Sequence, residues 1–282
     1  KMMNVNEPDY GHLLDEMRLF KSADELKLMQ RAADISVAAH EAAMRAARAG
    51  VREYELQAEL ERVFRANDAE AAYGSIVGAG ANACVLHYRA NNATARAGDL
   101  VLIDAGAEYR NYAADITRTF PVDGRFSKEQ RALHDLVGDA QRAALAQARP
   151  GIAYDAGHQA AVETLTEGLL RLGLLKGKLE KAIADGLYRR FYRHKTGHWL
   201  GLDVHDVGEY RLDGESRLLE PGMVFTIEPG LYVSTDDKSV AAKWRGIGIR
   251  TEDDVVVTAD GHRVLTGKLA RSADEIEALM AR

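Results

Sequence analysis

The pattern of apolar and polar positions near the start of the chain predicts two successive helices. Ser22 and Glu25 form an S-x-x-E capping box. Behind it, apolar residues recur at alternating spacings of four and three, which predicts an amphipathic helix that ends at Gly50; they are Leu28, Ala32, Ile35, Ala39, Ala42 and Ala46. A second helical stretch covers about 52–67, and a polar lead-in of about 20 residues precedes both.

The same helical pattern occurs again in the middle of the chain. Ser127 and Gln130 form another capping box, a helix follows to about residue 148, and a further helix begins near residue 155. Strand-like runs at 73–77 and 100–104 lie between the two helical regions. The order of elements therefore predicts a unit of two helices and strands that occurs twice.

Short sequence strings support this repeat. RPGI at 149–152 corresponds to RAGV at 48–51 at an offset of 101, and GMVFTIEPG at 222–230 matches GDLVLIDAG at 98–106 at an offset of 124. The alternative is that two buried strands both end before glycine-containing turns by chance. We interpret the strings as a duplicated helix–helix–sheet unit, whose two pseudo-symmetric halves would leave a cleft between them.

Each of the matched strands ends in an acid, Asp104 in the first and Glu228 in the second. After Asp104 the sequence predicts a turn near 108–111 and a second strand over 112–120. A symmetric hairpin would place Asp104 directly opposite Asp115, with Cβ atoms about 4.5–5.5 Å apart on one face. Facing carboxylates repel, so the pair needs a shared proton, a cation or bulk water. A solvated hairpin tip is the alternative.

The second half adds another acid at a comparable place. Glu252 lies within RGIGIRTEDDVVV at 245–257, whose end is again strand-like, so four carboxylates converge on one predicted sheet. Taken alone, Glu252 and the two aspartates after it would indicate an acidic loop. The repeat of an acid in each half favours a site instead.

Four of the nine histidines lie beside strand-like segments flanked by glycine, and they are His87, His194, His198 and His205. We assign no role to the other five, which are His12, His40, His134, His158 and His262.

An imidazole with four carboxylates is an oxygen-rich ligand set that suits manganese, cobalt or zinc. Two divalent ions would balance four carboxylates, and such a pair can activate a shared water and polarise a carbonyl. Metal-assisted hydrolysis is the predicted reaction class.

Composition narrows the classes of partner. The chain has 282 residues and a formal charge of −6, so one large domain or two closely packed halves is expected and nucleic acid is not an expected partner. The single cysteine, Cys84, excludes an intramolecular disulfide and a cysteine-rich zinc module. The chain has no apolar run of about 18 residues and a polar start, so we expect no membrane segment and a cytoplasmic protein.

Four strings carry a resemblance to a known family: IDAGAEYRNYAADITRTFPV, GHWLGLDVHDVG, LEPGMVFTIEPGLYV and WRGIGIRTEDDVVVT. The chain resembles the proline-specific metallopeptidases of the pita-bread fold, and within them the bacterial aminopeptidase P group, from EMRLFKS at 16–22 to EIEALM at 275–280. The resemblance implies an α+β fold of the creatinase and methionine aminopeptidase type, duplicated and pseudo-symmetric, with a curved antiparallel sheet flanked by helices.

The resemblance also implies a ligand set for two divalent ions, with manganese preferred and cobalt or zinc as alternatives. Asp104 and Asp115 would hold metal on one side and His198 and Glu228 on the other, while Asp115 and Glu252 bridge. Glu228 would also be the general base toward the bridging water. The implied reaction is hydrolysis of the amino-terminal Xaa–Pro bond of a peptide whose second residue is proline.

Further roles are implied for residues around the ligands. His205 would stabilise the oxyanion, and His87 and His194 would contact the peptide beside the scissile bond. Arg250 and Tyr232 would support the metal ligands as further catalytic residues. The proline ring would lie in a pocket near His87, His194, Val204, His205 and Arg250.

Two departures from the family pattern concern the start of the chain and one loop. The family usually carries an amino-terminal domain, whereas only about 15 residues precede EMRLFKS. We therefore expect residues 1–15 to be a lead-in, the remnant of a missing amino-terminal domain, and 16–282 to be the catalytic domain, with a homo-oligomer where that other domain is present. Lys195-Thr196-Gly197 follows His194, where relatives commonly have glycine directly after the histidine.

Three alternative functions remain open at this point. A prolidase would cleave only Xaa–Pro dipeptides, and a methionine aminopeptidase is suggested by the length of one domain. A non-catalytic pita-bread module that binds protein partners would not need the metal ligands.

Overall fold

A computed structural model describes residues 10–281 of the chain. Within that range the helices are α1 Tyr10–Leu19, α2 Ala23–Ala46, α3 Glu53–Ala66, α4 Lys128–Leu145, α5 Tyr154–Arg171, α6 Leu179–Ala184 and α7 Ala273–Met280. The strands are β1 Glu70–Ala71, β2 Ile76–Ala79, β3 Leu100–Asp104, β4 Ala107–Tyr109, β5 Tyr112–Ala113, β6 Thr117–Pro121, β7 Arg211–Leu212, β8 Glu215–Ser216, β9 Val224–Ile227, β10 Gly230–Tyr232, β11 Gly248–Arg250, β12 Asp253–Thr258 and β13 Gly261–Val264. Strand pairing in this part of the chain is antiparallel throughout. The predicted α+β class is confirmed.

The predicted helix starts are confirmed by complete capping boxes. Ser22 caps α2 and Ser127 caps α4, and in each case the side chain three residues later closes the box. The predicted end of α2 is wrong by four residues, because the helix ends at Ala46 and Gly50 belongs to the turn that follows, with φ of 89°. Residues 73–75 precede β2 rather than lying within a strand.

The predicted lead-in overlaps the first helix of the described range. Residues 10–19 form α1, and the expected boundary between residues 15 and 16 falls inside this helix. Two ion pairs fix α1 to the second half of the chain: Arg217 donates to both carboxylate oxygens of Glu16 at 2.6 and 2.7 Å, and Arg18 contacts the buried Asp206. Residues 1–9 lie outside the described range.

The turns before α3 and α5 confirm the duplication. The Gly50 amide donates to the Ala95 carbonyl at 2.8 Å, and the Gly151 amide donates to the Leu219 carbonyl at 2.9 Å. Both glycines have positive φ, 89° and 79°, which glycine adopts without strain. Gly50 and Gly151 are 101 residues apart, and their partners Ala95 and Leu219 are 124 residues apart, which are the two offsets of the matching sequence strings.

The first hairpin places its acids differently from the prediction. Asp104 pairs with Thr117, not with Asp115, because the turn lies at Arg110 and Asn111, one residue later than expected. Both turn residues have positive φ, 52° and 70°, the conformation of a tight hairpin turn. A shift of the turn by one residue moves the register by two, which keeps both aspartates on one face of the sheet.

The second half repeats this register. Ile227 pairs with Asp253, and the Thr251 amide donates to the Pro229 carbonyl at 3.3 Å, so Glu228 lies opposite Glu252 just as Asp104 lies opposite Thr117. The second half has no acid equivalent to Asp115, because the equivalent position is occupied by Arg250.

The two halves join where equivalent residues meet. Thr117 and Glu252 form an antiparallel bridge in which the Glu252 amide donates to the Thr117 carbonyl at 3.0 Å. Beside it, Arg118 pairs with Asp253 at 2.8 Å, both fully buried. A pseudo-twofold axis therefore passes between these pairs, and the bridge links the three-stranded sheet β2-β3-β6 of the first half to the three-stranded sheet β13-β12-β9 of the second.

Side chains alternate between the two faces of this sheet. Val101 and Ile103 of β3 pack with α2 and α3, and Phe225 and Ile227 of β9 pack with α4 and α5. Asp104 and Glu228, which directly follow Ile103 and Ile227, therefore face away from the helices. None of the described helices combines the length and the apolarity that crossing a bilayer would require.

Candidate metal centre

The face of the sheet that the helices leave open borders a cavity of about 560 Å³. Nine of the predicted site residues line it, namely His87, Asp104, Asp115, His194, His198, His205, Glu228, Arg250 and Glu252. Tyr232 lies behind this wall, 1% exposed. Val204, expected near the proline pocket, is half-buried and packs against the apolar cluster that includes Leu200 and Val224.

Three of the predicted ligands form a compact cluster. One ligand atom from each of Asp115, His198 and Glu252 lies within 4.8 Å of the others. Asp115 precedes β6 and Glu252 precedes β12, which is why the bridge between the halves brings them together. His198 joins from the segment beside β9, where its carbonyl accepts a hydrogen bond from the Thr226 amide at 2.9 Å.

The other two predicted ligands lie next to this cluster. The Tyr73 hydroxyl donates to Asp104 Oδ1 at 2.7 Å and also contacts Asp115, so one phenol joins both aspartates. Glu228 Oε1 is 3.7 Å from His198 Nε2, and Asp115 Oδ2 is 3.4 Å from the same nitrogen. The structure thus brings all five residues together in the lining of the cavity.

Arg250 compensates part of this negative charge. Its guanidinium contacts Asp104 and donates to the hydroxyls of Thr117 and Tyr232, each at 3.0 Å. The Tyr232 hydroxyl is also 2.9 Å from His194 Nε2. Tyr232 and Arg250 therefore connect the acids to one of the histidines predicted to contact the peptide.

Burial makes the charged forms of these acids unfavourable. It raises the pKa of Asp104, raises that of Glu228 to about 7, and raises that of Glu252 well above its usual range, with Asp115 adding repulsion. Burial also opposes protonation of His198, yet the hydrogen bond and charge of Asp115 and the charge of Glu228 raise its pKa to about 9. Additional positive charge at the cluster would therefore stabilise the ionised carboxylates.

The orientation of His198 suits a metal ligand. Its Nδ1 lies 3.0 Å from the Trp199 carbonyl, which fixes Nδ1 as the donor and leaves Nε2 facing Asp115 and Glu228. A half-buried imidazole nitrogen beside four carboxylates matches the preferences of divalent manganese, cobalt or zinc. The donor set therefore fits divalent metal ions.

The remaining histidines lie around the cluster in different states. The His205 ring is edge-on to that of His198, with centroids 4.3 Å apart, and both His205 and His87 are exposed in the cavity. Burial and the charge of Arg250 lower the pKa of His194 to about 3. A lowered pKa favours the neutral form of His194, which can donate one hydrogen bond and accept another.

Three contributors were missed by reasoning from the sequence. Tyr73 joins two ligands, the Thr117 hydroxyl donates to Glu252 Oε2 at 2.6 Å, and Asp254 accepts a hydrogen bond from the Asp115 amide at 3.2 Å. Asp254 and Thr117 each lie two residues from a predicted ligand, on the same strand face. That spacing was the available signal for those two, whereas Tyr73 is 31 residues from Asp104 and carried none.

A duplicated α+β sheet with a cluster of buried carboxylates and one imidazole at its cavity defines a class, the metal-dependent peptidases of the pita-bread fold. The chain belongs to metallopeptidase family M24, whose model matches residues 27–259.

Named relatives are similar over nearly the whole chain. It is 47% identical over 273 residues to the Xaa-Pro aminopeptidase of Escherichia coli, which covers 96% of this chain and 62% of that protein. The solved aminopeptidase PepP of Pseudomonas aeruginosa has a TM-score of 0.95 and 56% identity, covering 95% of this chain and 61% of that one. E. coli aminopeptidase P, solved with the inhibitor Pro-Leu, has a TM-score of 0.94 at 47% identity, covering 96% of this chain and 62% of that one. The chain thus spans about six-tenths of the length of these relatives.

Proposed function

We propose that this chain hydrolyses the peptide bond between an amino-terminal residue and a following proline. The observation that carries the proposal is that Asp115, His198 and Glu252, flanked by Asp104 and Glu228, lie together in the lining of a cavity of about 560 Å³. Similarity to relatives named Xaa-Pro aminopeptidase supports the choice of bond. We propose 16–282 as the catalytic domain, a range that contains every residue named at the site.

The five residues Asp104, Asp115, His198, Glu228 and Glu252 would hold two divalent ions, manganese in preference to cobalt or zinc. When bound, such ions lower the pKa of a water and polarise the scissile carbonyl. Glu228 would accept the proton of the attacking water; its two carboxylate oxygens lie 3.7 Å from His198 Nε2 and 3.6 Å from His194 Nδ1, in the lining of the cavity.

The other proposed roles concern the peptide. His205, beside the His198 ring and open to the cavity, would donate a hydrogen bond to the oxyanion, and His87 and His194 would contact the peptide at either side of the scissile bond. Tyr232 would hold His194 in place through its hydroxyl, and Arg250 would hold Asp104. The ring of the substrate proline would lie among His87, His194, His205 and Arg250.

The test uses the purified chain loaded with manganese and then desalted. We expect retained manganese and cleavage of an Xaa–Pro–Xaa tripeptide, and in Asp115→Ala a loss of bound metal together with roughly a 1000-fold loss of kcat/KM, because metal catalysis supplies several kcal/mol. Glu108→Ala, an acid on β4 outside the cluster, is the matched control.

Three results would contradict parts of the proposal. Cleavage of Xaa–Pro dipeptides alone would indicate a prolidase, and cleavage only of Met–Ala peptides would reject proline specificity. Absence of bound metal, with Asp115→Ala unchanged in every respect, would favour a non-catalytic binding module.

A further inference from the structure

Three lysine and arginine side chains line the cavity, and two of them already have carboxylate partners. Arg250 contacts Asp104. Arg211 donates to Asp155 Oδ2 at 2.7 Å and to the Gly214 carbonyl at 2.9 Å. The third is Lys195, whose ammonium group has neither an ion pair nor a hydrogen bond with any residue in 10–281. Its charge is therefore available to a ligand in the cavity.

The backbone around Lys195 is firmly held although its side chain is exposed. The Lys195 carbonyl is 2.7 Å from His194 Nδ1, and the buried Thr196 that follows accepts the Glu228 amide at 2.8 Å. Thr196 is also bonded through its hydroxyl to His158 at 2.7 Å. A rigid backbone with one free cationic side chain is a suitable element for binding a charged group at a defined place.

The position of Lys195 relative to the acid cluster indicates which part of a peptide it meets. Among the proposed ligands Glu252 is 2% and Asp115 5% exposed, and Glu228, His198 and the neighbouring His194 are half-buried, whereas Lys195 is exposed. The amino-terminal residue of a substrate would lie at the buried end, beside the reacting bond. The residues that follow the proline would extend away from the cluster by about 3.3–3.6 Å each, and Lys195, directly after His194 in the lining of the cavity, is the unpaired cation that they would meet.

We propose that Lys195 binds a carboxylate of the substrate on the leaving-group side of the scissile bond. This inference rests on the proposed function and sharpens its substrate class to peptides with a negative charge shortly after the proline. Two sources share that chemistry, the carboxyl terminus of a short peptide and an acidic side chain.

The test compares three substrates on the manganese-loaded chain: Ala-Pro-Ala with a free carboxylate, the same peptide as an amide, and Ala-Pro-Glu amide. In Lys195→Met, which keeps the apolar stem, kcat/KM should fall about 2- to 5-fold through KM on a charged substrate and stay unchanged on the neutral amide, because exposed ion pairs contribute modestly. Lys195→Arg should retain the preference. Arg211→Met, whose parent side chain is already paired, should not discriminate between the three.

Each pattern of results has one meaning. A loss restricted to Ala-Pro-Ala identifies the carboxyl terminus as the ligand, and a loss restricted to Ala-Pro-Glu amide identifies an acidic side chain. An equal change on all three substrates, or no change on any, overturns the proposal.

A binding measurement separates this inference from the proposed function. Calorimetric titration with Pro-Ala and with Pro-Ala amide does not require hydrolysis. The wild type should bind the acid more tightly than the amide by the same 2- to 5-fold, and Lys195→Met should abolish the difference. Equal affinities in the wild type would overturn the role of Lys195 even in an active enzyme. A wild type that cleaves none of the three peptides would reject the proposed function alone.

Discussion

The two halves of the sheet share a backbone but carry different charges at equal positions. The registers equate Asp104 with Glu228, Asp115 with Arg250 and Arg118 with Asp253. Backbone hydrogen bonds follow the same symmetry. The Asp115 amide donates to the Asp254 side chain at 3.2 Å, and the Arg250 amide donates to the Thr119 hydroxyl at 3.1 Å, which are equivalent contacts.

The difference follows from what symmetry places in contact. At the pseudo-twofold axis each residue meets its own equivalent, so two identical ionised side chains would repel in a buried site. Arg118 and Asp253 resolve this as an ion pair. Further out, Arg250 lies against Asp104, while the symmetry-related contact brings Asp115 toward Glu228, two acids that are served by His198. We call Asp115 and Glu228, with His198, the half-site without an arginine. A bound cation would stabilise this half-site, because no arginine compensates its two carboxylates.

The axis pair should therefore be structural, and breaking it should have the largest effect on stability. Both side chains of Arg118 and Asp253 are 0% exposed, and Arg118 also donates to the carbonyls of Glu252 and Ala270 at 2.6 and 2.9 Å. Arg118→Met leaves the buried Asp253 carboxylate with Arg271, at 3.6 Å, as its remaining cationic partner, and should lower the free energy of unfolding by about 3 kcal/mol, measured by urea denaturation.

A double-mutant cycle provides the control for the axis pair. Arg118→Met with Asp253→Leu removes both charges, so it should be less destabilised than the sum of the single variants by at least about 1 kcal/mol. Additive losses would mean that the two charges do not interact.

The Arg250–Asp104 pair should behave differently, because it lines the cavity. Arg250→Met should lower the stability of the metal-free protein by roughly 2 kcal/mol, less than the axis variant, since water reaches Asp104. Manganese should restore at least half of that loss by supplying the missing positive charge, and it should restore none of the loss in Arg118→Met. Urea denaturation with and without manganese gives both values. Equal responses of the two variants would remove the distinction between the pairs.

The sequence predicted the parts of this arrangement that are local. Apolar strings that end in Asp104 and Glu228 recur at a fixed offset, and the capping boxes at Ser22 and Ser127 are complete within four residues. The strand and helix order followed from these signals, and the resemblance added His198 to the set.

The register and the supporting contacts were beyond that reasoning. The hairpin turns at Arg110 and Asn111, which is not a dipeptide that marks a tight turn, so its centre was misplaced by one residue. Thr117 contacts Glu252 across 135 residues, and Arg250 contacts Asp104 across 146. Such pairs depend on how the two halves dock, which no local pattern records.

His198 should distinguish the half-site without an arginine by its response to pH. Its pKa is raised from 6.5 to about 9, so it stabilises the metal-free fold fully below pH 6.5 and this stabilisation is lost as the pH rises through about 9. We expect a loss on the order of 1–2 kcal/mol between pH 6.5 and 9, measured by urea denaturation, and a smaller loss in Asp115→Asn. The pKa of Glu228 is raised to about 7, so its contribution to stability is present below pH 4.5 and is lost as the pH rises through about 7.

Buried histidines outside the site provide the contrast. Burial lowers the pKa of both His40 and His134 to about 4, so each favours the folded state above its unfolded pKa, and that stability is lost only as the pH falls from 6.5 through 4. Histidine NMR titration should find His198 still protonated at pH 7 in the metal-free protein and these two neutral. A neutral His198 at pH 7 would contradict the assignment of charge to this half.

The smallest expected effect on stability concerns the helix caps at Ser22 and Ser127, where the two halves have the same hydrogen-bond geometry. Ser22 and Ser127 accept the amide three residues later at 3.4 and 3.3 Å, and their own amides donate to Glu25 and Gln130 at 2.7 and 2.8 Å. Because the geometry is the same, Ser22→Ala and Ser127→Ala should each cost about 1 kcal/mol of unfolding free energy, add in the double variant, and leave manganese binding unchanged. Unequal costs in urea denaturation would show that the halves differ in stability as well as in charge, and would place part of the asymmetry in the helices rather than in the sheet.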